Sequence, residues 1–218
     1  MFSVVAVTLR SDLAAAHDRA WESLATAGTW WSSEQRRELA ETAIDAMWSA
    51  DAGHQPVRAR AATAAAHDAV TVMASGNPPI TREWYEGVRD EVGALEYVEL
   101  VGLVCTVASV TSLRNTLDLP ARELPRASGE GPTRVPPPAL ADARLNWVPV
   151  AAPADADAAV VQALTAVPAS NEMLWSLADA QYIPDAEMVD PRWTRGTLSR
   201  VEMELVATRV SFSRECHY

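Results

Sequence analysis

The spacing of apolar residues leaves this 218-residue chain one class of architecture. No segment sustains the apolar–polar alternation of a half-buried strand. Apolar residues instead return every three to four positions, between residues that start or stop helices. Ser11-Asp12 before Leu13, His17, Ala20, Trp21 and Leu24 predicts an N-capped amphipathic helix ending near Gly28. Ser32-Ser33 opens a second, with Leu39, Ala43, Ile44, Met47 and Trp48 on one face. Pro56 suits the first turn of a third, over Val57 to Ser75, which Gly76-Asn77-Pro78-Pro79 breaks. Thr81 caps a fourth that ends at Gly93. Leu95 to Leu117 is the most hydrophobic helix and the expected core of the first half, closed by Asp118-Leu119-Pro120. Residues 120–156 hold eight prolines with Gly129 and Gly131, the composition of a partly extended linker. Three further helices are expected over Asp155 to Val167, Asn171 to Gln181 and Ser199 to Phe212. Abundant alanine and sparse glycine favour the same all-α reading.

Charge and cysteine usage then exclude several function classes. A net charge of −11 argues against nucleic-acid and anionic-membrane binding, both of which need basic surface. The longest apolar run, Leu100 to Val110, is short for a membrane span, and Met1 to Val7 lacks a basic signal-peptide region. A cytoplasmic, soluble protein is expected. Cys105 and Cys216 are too few for a disulfide scaffold, and Cys105 in Leu103-Val-Cys-Thr-Val reads as an inert core thiol. His17, His54 and His67 are scattered without metal-ligand spacing, so neither a metal nor a cofactor is expected. Glu96 and Glu99 flank Tyr97 at the start of the core helix, where acidic groups suit the helix dipole. The eight tryptophans, Trp30-Trp31 among them, read as packing anchors.

Two stretches carry a family resemblance. The first runs from Ile80-Thr-Arg-Glu-Trp-Tyr-Glu through Leu95-Glu-Tyr-Val-Glu-Leu-Val-Gly-Leu-Val to Leu117-Asp-Leu-Pro120. The second runs from Ala143-Arg-Leu-Asn-Trp-Val-Pro to Cys216, and its most specific part is Glu204-Leu-Val-x-x-Arg209-Val-Ser, with Cys216 twelve residues after the Glu. Together they resemble the alkyl hydroperoxidase D-like (carboxymuconolactone decarboxylase-like) family of helical bundles. The resemblance implies a degenerate copy of that domain over 1–120, a Pro-rich linker over 121–156, and the N-terminal part of a second copy over 157–218. The first copy has no Cys around Thr42 to Gln55, where a redox pair would fall. The second copy has the first Cys of a Cys-x-x-Cys motif, and the second would be position 219. A selenocysteine codon at 219 is one expectation for that position; truncation of a longer protein and a pseudogene-like fragment are the others.

By the same resemblance, Cys216, Glu204 and His217 form the catalytic group. A thiolate attacks the peroxide, a second chalcogen resolves the sulfenic acid, and Glu204 with His217 relays protons. The implied function is a thiol- or selenol-dependent peroxide or disulfide reductase of antioxidant type, weak in the chain as it stands. Its partners would be a peroxide and a thiol/disulfide electron donor, and a homo-oligomer is expected. Two other readings stand beside it: a non-catalytic helical interaction module, and a decarboxylase-like lyase in which Cys216 is dispensable.

Overall fold

The computed structural model describes residues 8–48, 61–137, 139–142, 146–151, 159–162 and 164–213. Among these the chain is helical, and the only β pairings are two isolated bridges, Ala141 with Val150 and Arg195 with Leu198. Helix α1 spans Ser11–Ser23 and α2 spans Ser33–Trp48. Helix α3 spans Ala64–Ser75, α4 Arg82–Val92 and α5 Ala94–Thr116. Short α6 covers Ala159–Gln162, α7 Pro168–Gln181 and α8 Arg200–Ser213.

Helix ends follow side-chain chemistry, with three departures from expectation. The Thr63 hydroxyl accepts from the Ala66 amide at 3.2 Å, so α3 starts there and not at Val57. The Pro56 start lies outside the described residues. At α1 no side chain caps the helix; Arg10 in the cap position ion-pairs with Asp12 at 3.0 Å and donates to the Ala180 carbonyl on α7. Thr81 caps α4 as expected, through the Trp84 amide. Of the helix expected over Asp155 to Val167, the described part is α6, and Leu164 beyond it takes a left-handed φ of 63°, so the helix does not run on to Val167.

The hydrophobic α5 is the axis of the bundle. It packs against α1, α2, α3, α4 and α7, burying Val98, Leu100, Leu103, Val107 and Val110. Its 23 residues are long and apolar enough to cross a membrane, which the apolar run alone did not suggest, yet 56% of its most apolar window is buried in the protein. Gly102 permits the close approach of α7, because a Cβ there would sit 2.7 Å from the Ser170 side chain. Through Leu177, α7 belongs to the same core as Trp21, Leu39 and Val70. The stretch expected as a linker lies along α1 and α2 where it is described. Trp21 Nε1 donates to the Glu123 carbonyl at 2.8 Å, Arg37 Nε to the Pro125 carbonyl at 2.9 Å, and the Ser33 amide to the Glu130 carbonyl at 3.1 Å.

Candidate functional site

Of the three expected site residues, Glu204 is described; Cys216 and His217 lie outside the described residues. Glu204 is on α8, whose start is fixed by a reciprocal cap. The Ser199 amide donates to Glu202 Oε2 at 2.8 Å, and the Glu202 amide donates to Ser199 Oγ at 3.3 Å. One turn on, Arg200 Nε donates to Glu204 Oε1 at 2.7 Å. The Tyr182 hydroxyl, just past the C-terminus of α7, donates to Glu204 Oε2 at 2.7 Å. Each carboxylate oxygen therefore has a donor, and α8 is tied to α7 through this one side chain.

That end of α7 is itself organised by a cation. Arg195 donates from Nε to the Tyr182 carbonyl and from Nη2 to the Asp179 carbonyl, both at 2.7 Å. A guanidinium at the free carbonyls of a helix C-terminus satisfies orphan acceptors and opposes the negative dipole end. Its charge also lies 4.9 Å over the Trp193 ring. The loop between α7 and α8 is thus folded back by Arg195, and this holds Tyr182 against Glu204.

The electrostatics redefine what Glu204 can do. The Tyr182 hydrogen bond and then the Arg200 hydrogen bond hold its carboxyl below the usual carboxylate range. Tyr182 is pushed up to about 12, by desolvation first and by Glu204 second. At neutral pH the pair is a neutral phenol and a fixed anion. Such an anion is a weak proton acceptor but a good anchor for a nearby cation, the role an acidic residue plays behind a catalytic imidazole. Arg200 was visible in the sequence as the i−4 neighbour of Glu204. Tyr182, 22 positions away across a loop, carried no such signal.

Three other polar groups depart from expectation or were missed. Cys105 is exposed on the outer side of α5 and not in the core, while Val104 and Thr106 are buried; the protein packed around its base still pushes the thiol up, in keeping with the inert thiol expected. Glu99 does more than complement a dipole: it is buried, with Oε1 2.7 Å from Arg36 Nη1 and Oε2 accepting from the Trp30 amide at 2.7 Å. His67 lies between Glu38 Oε1 at 2.9 Å and Thr42 Oγ1 at 2.8 Å, joining α2 to α3. No cluster of three metal-ligating side chains occurs among the described residues.

No protein-family model matches this chain, and no curated protein or solved structure matches it. Among the described residues the fold is all-α.

Proposed function

We propose that the chain is the thiol-bearing part of a peroxide or disulfide reductase, with Cys216 as the reacting thiol and Glu204 as the fixed anion behind it. The observation that carries this reading is the Tyr182–Glu204–Arg200 clamp on α8, the helix that leads toward Cys216. A carboxylate held ionised on that helix would favour a cationic imidazole brought against it, and a cationic imidazole favours thiolate. His217 is adjacent in sequence to the thiol and supplies that imidazole.

The chemistry balances as follows. The Cys216 thiolate attacks one peroxide oxygen; the S–O bond forms, the O–O bond breaks, and the departing alkoxide takes a proton to leave as alcohol. Cys216 is then a sulfenic acid. A thiol of an external dithiol donor attacks the sulfenic sulfur. Water leaves, and the donor's second thiol resolves the mixed disulfide, releasing Cys216 and the oxidised donor. Glu204 does not itself take the thiol proton; the His217 imidazole takes it, Glu204 stabilises the imidazolium that forms, and that imidazolium protonates the departing alkoxide.

The test is to trap sulfenic acid with a dimedone-type reagent after one equivalent of peroxide, in a Cys105→Ser background, and locate the adduct by mass. The adduct is expected on Cys216. Glu204→Gln should slow its formation, because the imidazolium loses the anion that stabilises it. Peroxide consumption that is unchanged in Cys216→Ser sinks the proposal.

A further inference from the structure

Helix α7 is seated on α1 through a seam of polar contacts that runs to its C-terminal end. Arg10 donates to the Ala180 carbonyl at 2.6 Å, and Arg19 Nη2 approaches Ser176 Oγ at 3.5 Å. In the same seam the His17 ring is buried, and its Nε2 lies 2.9 Å from the side-chain amide nitrogen of Gln181. Gln181 is the last residue of α7, and Tyr182, the donor to Glu204, follows it directly. A titratable ring therefore sits at the point where α1 holds the end of α7.

What faces the ring decides which protonation state the seam accepts. From α7 it meets the neutral amide of Gln181. From its own helix it feels Asp18, whose carboxylate is held by Arg122 at 2.6 Å. Arg114, near the end of α5, and Arg122, in the proline-rich stretch, both oppose a positive charge on it. Gln181 can serve either form of the ring, donating or accepting as its amide turns over, so the hydrogen bond does not set the preference. Burial sets it. Desolvation is the largest influence and lowers the His17 pKa, Asp18 works against it, and the two guanidiniums add to it. A base lowered in this way binds fewer protons in the packed seam than when released. The packed seam is therefore favoured above the free imidazole value of about 6.5, and that preference is lost as pH falls from there toward the folded value.

We propose that the α1–α7 seam is an acid-released latch: protonation of His17 frees the C-terminal end of α7 from α1 and, through Tyr182, loosens the hold on Glu204. The release is local, because α7 stays packed on α5 with Leu177 in the central core. Histidine suits this task, since its charge changes between about pH 5 and 8. The latch does not depend on the redox chemistry of Cys216.

The experiment is amide hydrogen exchange of the full chain at about pH 7.5 and about pH 5.5, on either side of the free imidazole value, corrected for the chemical exchange rate at each pH. It is paired with an NMR titration of the His17 ring. Amides over 176–181 of α7 are expected to exchange several-fold faster at the lower pH, while those over 98–107 of α5 keep their protection. Gln181→Glu, at an exposed position, gives the protonated ring a carboxylate partner. It should raise the His17 midpoint and remove the acid response of α7. His17→Asn cannot titrate and should show the same α7 exchange at both pH values, with circular dichroism to establish that it folds. Wild-type α7 exchange that does not change with pH overturns the proposal. So does a His17 midpoint at or above the free value, or an acid response undiminished in Gln181→Glu. A loss of protection in α5 as large as that in α7 also overturns it, because the whole bundle would then be opening.

Discussion

Gly28 and Glu99 show how one residue can carry a constraint invisible to pattern. Glu99 is 1% exposed and binds Arg36 and the Trp30 amide, and a Cβ on Gly28 would run into its carboxylate. Gly28→Ala must therefore displace a buried ion pair. It is expected to destabilise the protein by about 3 kcal/mol, the scale of a buried pair broken on one side, read as a lower urea midpoint. Glu204 works differently, since its side chain is 43% exposed and its effect is a matter of pH. Its folded-state pKa is depressed, so the stability it adds is present above the unfolded carboxyl value of about 4.3 and is lost as pH falls through the folded value. Glu204→Gln should be less stable than wild type near neutrality and match it in strong acid. Tyr182 runs the other way: raised to about 12, its contribution is present below about 10 and lost as pH rises toward 12. An ultraviolet titration should show Tyr97 and Tyr182 near 12, with Tyr85 also raised by desolvation, and Tyr182→Phe should remove one of the two phenols near 12.

At the scale of elements, local chemistry set boundaries where a side chain could reach a free amide. Thr81 and Gly93 frame α4 and Gly76, in a left-handed conformation, closes α3, all as their sequence suggests. The start of α3 was misread because Pro56 is a permissive signal, while Thr63 supplies an actual hydrogen bond. Thr63→Ala should cost about 1 kcal/mol in thermal or chemical unfolding. Cys105 was misread for a related reason. The run around it is apolar throughout, so periodicity could not say which of its residues faces outward. That was settled by the helices that surround α5 on its other sides. The cap of α8 at Ser199 and Glu202 was three residues apart and legible, whereas the clamp on Glu204 needed a loop to bring Tyr182 back.

The whole molecule is held together by long-range contacts that no window of sequence contains. Trp21 is the clearest case: it is buried in the central core, and its indole N–H reaches the carbonyl of Glu123 in the proline-rich stretch. Trp21→Phe keeps an aromatic ring but leaves that carbonyl without its donor. A loss of about 1–2 kcal/mol is expected, with faster proteolysis near 121–137. By contrast Val189→Ala, at a side chain 90% exposed, should stay within about 0.5 kcal/mol of wild type. The all-α class followed from sequence alone because helix periodicity, caps and breakers are local physics, complete within a few turns. So did the prominence of α5, since an apolar helix must be surrounded. Which carboxylates are buried, which thiol is exposed, and which hydroxyl meets Glu204 were decided only by tertiary structure. Each depends on residues far apart in the chain being packed to within hydrogen-bond reach, and local spacing holds no record of that distance.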